Sequence, residues 1–310
     1  MILPKNLELV STKGRAGKSI KNYKTLNNAL IPDTINMAVL INGASASASE
    51  IVAGVLQDYD RAIVLGSQSF GKGLVQTVIG INQETALKIT NSKYYIPSGR
   101  SLQKREFIDD ELIANSSVVA DTLFQTKAGR TVIGGGGIGP DVIVKDEGSY
   151  PLAASILRSR GYFKFVQENN NQYSSIDEVL ADEELMVKFK TFIEKNDISG
   201  YVDGQEDLKL AKEKLSKKEE KNLFINNAFS VIEKQIEKTQ STMFEDEKEI
   251  IQRMVHGEFA FYYNGYEGRY NIYLKDDTVV QKAIEIFADE SQYLSILSNT
   301  ESTEVASLNN

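Results

Sequence analysis

Cysteine is absent from the 310 residues, and histidine occurs once, at His256. The first absence removes thiol nucleophiles, disulfides and thiolate-ligated zinc or iron–sulfur sites. The second rules out a multi-histidine metal centre and leaves any Ser-His-Asp triad a single candidate base. No cofactor or metal is expected. No run of 18 apolar residues occurs either, so no stretch reads as a transmembrane helix. A basic stripe is missing too. The net charge is −8, with +2 on residues 1–150 and −10 on residues 151–310, so nucleic acid is not the expected partner. Met1-Ile-Leu-Pro4 has neither a positively charged n-region nor a long apolar core, so it does not read as a signal peptide.

What is present is an ordinary globular profile, 41% hydrophobic, 25% charged and 9% aromatic, in a chain long enough for one large domain or two. Met37–Asn42 and Ala62–Gly66 are short apolar runs suited to buried strands. Between them Ile51, Val52, Val55 and Leu56 recur at helical spacing. Strand, helix and strand in that order predict a βαβ unit. β-rich stretches come next at Leu74–Ile81 and Ala86–Ile96, and a loop at Gly134–Pro140. The first clear strand in this reading is the one at Met37. From Tyr150 the texture turns helical, with helices expected over Ala153–Phe165, Ile176–Glu194, Leu208–Lys238 and Val279–Leu297. The run Lys217-Lys-Glu-Glu-Lys221 reads as a solvated helix face. The expected division is therefore an α/β part over 1–150, a helical extension over 151–298 and a disordered Ser/Thr/Glu/Asn-rich tail over 299–310.

Three short motifs fail on inspection. Gly66-Ser-Gln-Ser-Phe-Gly71-Lys72-Gly73 nearly matches a phosphate loop. It lacks the terminal hydroxyl for Mg²⁺, and β-branched residues stand after it where a helix is required. Ser69-x-x-Lys72 matches the Ser-x-x-Lys of penicillin-binding enzymes but recurs at Ser101-x-x-Lys104, without the companion elements. Gly43-Ala-Ser45-Ala-Ser47 resembles a nucleophile elbow whose closing glycine is replaced by Ser47 itself. Its only available histidine, His256, lies 209 residues further on, where a lone histidine reads as structural.

Two elements remain. Gly43-Ala-Ser-Ala-Ser-Ala-Ser-Glu50 sets small residues between a strand and a helix N-terminus, where free N–H groups and the helix dipole favour a developing oxyanion. The same Ser47-x-x-Glu50 is also a capping box, which needs no catalysis. Phe70-Gly-Lys72-Gly-Leu-Val-Gln76 places a lysine between glycines at the end of a strand, which predicts burial and a lowered pKa. Reaching neutrality from about 10.4 corresponds to roughly 4 kcal/mol of differential solvation. A lysine so tuned removes a serine proton without histidine, and Gln76, four residues on and on the same face, orients the amine. The alternative for Lys72 is a snorkelling lysine or one ion-paired with Glu50.

These segments resemble the C-terminal processing, or tail-specific, serine peptidases. The likeness runs through Gly-Ala-Ser-Ala-Ser-Ala-Ser-Glu-Ile at 43–51, Ala-Gly-Val-Leu-Gln-Asp at 53–58 and Gly-x3-Phe-Gly-Lys-Gly-x-Val-Gln at 66–76. It continues at 94–101 (Tyr-Tyr-x-Pro-Ser-Gly-Arg-Ser) and 136–141 (Gly-Gly-Ile-x-Pro-Asp). The resemblance implies Ser47 as nucleophile, Lys72 as base and Gln76 as the residue positioning it. It also implies a crotonase-like α/β core, and endoproteolysis near the C-termini of unfolded or tagged polypeptides in the periplasm or cell envelope. The family's export signal, PDZ domain and upstream core with its glycine-rich oxyanion segment have no counterpart before Ser47. The chain thus reads as a partial core of an N-terminally truncated member with impaired activity, its missing half or PDZ domain belonging to a parent protein and its oligomeric state open. The alternatives are a non-catalytic remnant or scaffold that binds partners through its acidic helices, and a nucleotide-binding module built on Gly66–Gly73.

Overall fold

The computed structural model describes residues 2–14, 19–104, 107–108, 111–112, 122–145, 148–216 and 223–298. The expected tail at 299–310 and the charge run at 217–221 lie outside them. The chain forms two compact units, one from residues 1–146 and 278–310 and the other from 147–277. Among the described residues no helix is long and apolar enough to cross a membrane.

The first unit begins with strands β1 (Glu8–Gly14) and β2 (Ser19–Lys24), then β3 (Ala38–Ile41), helix α1 (Ala48–Asp58) and β4 (Ile63–Gly66). Next come the hairpin β5 (Leu74–Gly80) and β6 (Ala86–Tyr95), the short pairs β7 (Phe107–Ile108) with β8 (Glu111–Leu112) and β9 (Thr122–Gln125) with β10 (Thr131–Gly134), and β11 (Val142–Ile143). β3 and β4 run parallel, Ala38 opposite Ile63 and Ile41 opposite Gly66, with α1 between them in the chain, as the apolar spacing predicts. β4 is the middle strand of a parallel sheet ordered β11-β4-β3 and is buried along its whole length. Its side chains alternate, as a strand's must. Val64 joins Ile41, Ala53, Val55, Leu56, Ile96, Leu102 and Ile138 beneath α1, whereas Ile63 and Leu65 face the other way.

An antiparallel sheet ordered β2-β1-β6-β5 adjoins this layer in the same unit. The apolar pattern places the first strand at Met37 and so misses β1 and β2. The reason is that β1 is built of Glu-Leu-Val-Ser-Thr-Lys-Gly, whose buried Val10, Ser11 and Thr12 follow one another without apolar alternation, Ser11 and Thr12 being paired with strands on both sides.

The second unit is helical: α2 (Pro151–Arg158), α3 (Gly161–Asn169), a short 3₁₀ turn (Asn170–Gln172), α4 (Ile176–Ala181), α5 (Leu185–Lys195), α6 (Gln205–Ser216), α7 (Leu223–Asp246) and α8 (Lys248–Lys275). The first two predicted helices are present but divided, the first by a left-handed residue at Arg160 (φ 59°, ψ 29°), and the third is helical over the described residues 208–216 and 223–238. The core is aromatic. Phe165 meets Phe189, Phe192 and Phe259 edge-on, with centroids 4.9, 5.3 and 6.1 Å apart. α8 is not expected from the sequence, because three glycines interrupt its pattern. Its arms, 248–264 and 266–275, fold back on each other at Gly265 (φ 63°, ψ −153°). Gly257 lies against the Tyr273 ring and Gly268 against Ala260, each so close that a Cβ would collide.

Asp182, in the turn between α4 and α5, accepts from Lys188 Nζ at 2.8 Å, Tyr173 Oη at 2.5 Å and the Glu184 N–H at 2.9 Å. The Lys188 hydrogen bond, with that from Tyr173, lowers its carboxyl from 3.8 to about 2. A depressed carboxyl stabilises the fold above its unfolded pKa and loses that contribution as pH falls toward the folded value. The melting temperature of the second unit is therefore expected to drop between about pH 4 and pH 2, and Asp182→Asn to remove that part of the profile. Equal slopes in both proteins would refute the assignment.

Helices α9 (Thr278–Ala288) and α10 (Glu290–Ser298) return to the first unit. This corrects the expected helical extension, which runs through to 298. The physical reason is the outward face of β4: Ala283, Ile286 and Tyr293 pack on Ile63 and Leu65. Tyr293 Oη also accepts from the Met37 N–H at 3.0 Å and donates to the Met37 carbonyl at 3.1 Å, pinning α10 to the start of β3.

Candidate active site

Between β3 and α1 the chain makes a tight turn. The Asn42 carbonyl accepts from the Ser45 N–H at 2.9 Å, the Ser45 hydroxyl accepts from the Asn42 N–H at 3.1 Å, and Asn42 Oδ1 accepts from the Ala44 N–H at 3.0 Å. Ser45 is thus engaged in shaping the turn. Ser47 is the N-cap of α1, with φ 59° and ψ −114°. An ordinary N-cap sits in the β region, and only a few per cent of non-glycine residues have positive φ. The other such residues among those described are Asn6, Asp60, Arg160 and Asp197. A backbone so placed costs on the order of 1–3 kcal/mol and persists only where its surroundings impose it. It puts the serine on a sharp strand-to-helix turn at a helix N-terminus, as in a nucleophile elbow.

Those surroundings are Glu50. Its side chain is fully buried at 0% exposure and gathers two segments of chain. Oε2 accepts from the Ser47 N–H and from the Lys72 N–H, each at 2.8 Å. Oε1 accepts from the Gly71 N–H at 2.7 Å and the Ser69 hydroxyl at 2.5 Å. The main chains of Ser47 and Lys72 therefore converge on one carboxylate oxygen. The Phe70 N–H donates to the Ser45 carbonyl at 2.9 Å and ties the segments once more. The capping box read from the sequence is formed, and in place of an ion pair with the Lys72 side chain Glu50 holds the Lys72 backbone. The signal available was its position three residues beyond Ser47, at the start of an apolar helix.

Lys72 departs from expectation in its burial, because its side chain is exposed. The buried members of Phe70-Gly-Lys-Gly are the glycines. The Lys104 N–H donates to the Gly71 carbonyl at 3.0 Å. A Cβ on Gly71 would stand 2.5 Å from Lys104 Cβ, and one on Gly73 2.5 Å from the Gln103 nitrogen. The glycines thus serve close backbone packing, and the lysine between them points outward. Gln76 is exposed on β5 and its amide donates to Thr90 Oγ1 across the hairpin at 3.4 Å. Lys72 and Gln76 line one open cavity of about 330 Å³ with Gly43, Gln68, Phe70 and Leu74. After Gly73 the chain continues as strand β5 and not as a helix, so the phosphate-loop geometry is not formed. His256 lies on α8 in the second unit, half-buried, and burial pushes its imidazole below the ordinary value.

The remaining motif residues build a buried polar frame beneath α1. Arg100 Nη2 donates to Asp58 Oδ1 at 2.9 Å and to Gln57 Oε1 at 2.7 Å, with both members of the ion pair 1% exposed. Arg130 pairs with Asp60 at 2.7 Å and Asp141 at 2.6 Å, and Asp141 Oδ2 accepts from the Val64 N–H at 2.7 Å. Burial pushes the Asp58 and Asp141 carboxyls upward against the pull of their arginines, and pushes the Arg100 guanidinium downward. This frame joins the end of α1 to the loops at 97–101 and 137–141, and accounts for Gln57-Asp58, Arg100 and Asp141 without assigning them chemistry.

Residues 1–113 match the model of peptidase family S41, and residues 152–287 that of the C-terminal helical domain of a probable PDZ-protease. The carboxy-terminal-processing protease of Bartonella bacilliformis is 51% identical over 96 residues, 31% of this chain and 22% of the relative. The carboxyl-terminal-processing protease of Picosynechococcus is 38% identical over 82 residues, 26% of this chain and 20% of the relative. This chain thus spans about a fifth of the length of the curated relatives it matches. The solved photosystem II D1 C-terminal processing protease aligns over 47% of this chain and 29% of its own, at 25% identity and a TM-score of 0.35.

Proposed function

We propose, from the match of residues 1–113 to peptidase family S41 and the likeness to C-terminal processing proteases, that the first unit carries the catalytic centre of a serine endopeptidase cleaving near the C-termini of unfolded or tagged polypeptides. The core in this reading is crotonase-like and the setting is the periplasm or cell envelope. Ser47 is the nucleophile, Lys72 the general base and Gln76 the residue that orients it.

The observation that carries this reading is the backbone of Ser47. A cap alone has no need of φ 59° and ψ −114°. A serine held in that strained geometry at a helix N-terminus, with its main chain bound to the same Glu50 oxygen as that of Lys72, supports the acyl-transfer reading. In the proposed reaction Ser47 Oγ bonds to the scissile carbonyl carbon while Lys72 Nζ, as the neutral amine, takes the hydroxyl proton. Lys72 then returns that proton to the departing amide nitrogen as the C–N bond breaks. Water, deprotonated by the same amine, releases the acyl group and regenerates Ser47. Lys72 is exposed in the cavity wall, where a bound polypeptide would cover it and exclude water.

The test is a serine-directed fluorophosphonate with peptide mapping of the product. Label is expected on Ser47, lost in Ser47→Ala together with any cleavage of a denatured polypeptide. Label confined to other serines would sink the reading.

A further inference from the structure

Glu50 forms no ion pair among the described residues, so its buried carboxylate is held only by the dipoles that point at it. Three of its four donors are main-chain N–H groups of the segments it organises. The fourth is the Ser69 hydroxyl, 2% exposed. A hydroxyl has one proton and two acceptor sites. One acceptor site receives the Ile138 N–H at 2.7 Å, and the Ser69 N–H in turn donates to the Ile138 carbonyl at 3.1 Å. The proton is left to point at Glu50 Oε1. Gly137 closes the arrangement from the far side, at φ 88°, where a Cβ would stand 2.6 Å from Ser69 Oγ. The hydroxyl therefore has a fixed direction, set by a third segment of chain that touches neither Ser47 nor Lys72 in this network.

We propose that Ser69 is a positioning residue for the proposed reaction. By donating to Oε1 and accepting from Ile138, it sets the rotation of the Glu50 carboxylate so that Oε2 holds the Ser47 and Lys72 main chains together. The proposal rests on the assignment of Ser47 and Lys72 made above. Ser69 borders the cavity that Lys72 and Gln76 line but is only 2% exposed, and its hydroxyl is spent on Glu50 and Ile138, so its proposed role is exerted through Glu50. Without the hydroxyl, the carboxylate keeps three donors, all on the segments it is meant to align, and nothing outside those segments fixes its angle.

Threonine and valine at position 69 have the same shape and differ by the hydroxyl alone, so their comparison separates the hydrogen bond from packing. Two quantities are measured on the full chain: the rate of fluorophosphonate labelling at Ser47, and the hydrogen exchange of the Ser47 and Lys72 amides. Ser69→Thr is expected to match the natural protein in both. Ser69→Val is expected to label roughly ten- to a hundredfold more slowly, the scale of a small misalignment, and to exchange both amides faster. Ser69→Ala, which removes the hydroxyl with no added bulk, gives the same expectation should valine prevent folding. Equal labelling and equal exchange in the threonine and valine variants overturn the proposal. If Ser47 takes no label even in the natural protein, the peptidase reading falls by itself, and the exchange comparison alone decides the role of Ser69.

Discussion

Lys72→Ala is expected to slow acylation of Ser47 by about 10²- to 10⁴-fold, the range a positioned general base supplies, while leaving the melting curve of the protein in place. The two halves of this expectation have different origins. The rate loss comes from the proposed proton transfer, since the alanine variant lacks the amine of the residue whose main chain is bound to the same Glu50 oxygen as that of Ser47. The unchanged stability comes from the structure. The Lys72 side chain is exposed, its backbone N–H is the group that Glu50 holds, and alanine keeps that N–H. Exposed substitutions of this kind stay within about 0.5 kcal/mol. Labelling rates at Ser47 and a thermal melt on the same sample measure both. Full labelling by the variant would remove Lys72 from the mechanism. A lowered melting temperature would mean that its side chain holds the fold.

Arg100→Ala sits at the opposite extreme. It is expected to leave any chemistry at Ser47 unaddressed and instead to destabilise the first unit by about 3–5 kcal/mol, the usual result of breaking one side of a buried ion pair. Asp58 keeps the Ser98 N–H at 2.9 Å but loses its only cation in the frame, and Gln57 Oε1 loses its donor. A marginal domain holds only about 5–15 kcal/mol in total, so much of the unit's stability rides on this side chain. Denaturant unfolding of the variant against the natural protein measures the difference. A loss below about 1 kcal/mol would mean that water reaches Asp58 and that the frame is softer than its burial implies.

Much of the first unit is legible in the sequence because β4 is apolar on both faces and α1 repeats Ile51, Val52, Val55 and Leu56 at helical spacing. β1 and β2 are not, since β1 buries Ser11 and Thr12 between two paired strands while Lys21 to Lys24 of the edge strand β2 are exposed, so neither shows apolar alternation. α8 is hidden for a related reason, in that Gly257 and Gly268 lower helix propensity locally yet admit the second arm. At the site, Ser47, Lys72 and Gln76 can be picked out as candidate residues, but their environments cannot. A position between glycines suggests burial for Lys72, when the glycines themselves are the buried partners. Glu50 and Ser69 carry no sequence signal of a shared contact, because the 19 positions that separate them close only in three dimensions.

The return of α9 and α10 to the first unit makes that unit discontinuous in the chain. On a ribosome, β4 emerges early, but the helices that cover Ile63 and Leu65 arrive only after the whole 147–277 segment has been made. At about 5–20 residues per second, that is a wait on the order of ten seconds. Throughout it, one face of the central strand lacks its cover while a complete helical unit is already able to fold. The first unit thus cannot complete its packing on β4 until the helical segment has been made, whereas the residues that hold Ser47, Glu50 and Lys72 together are all in place by residue 138.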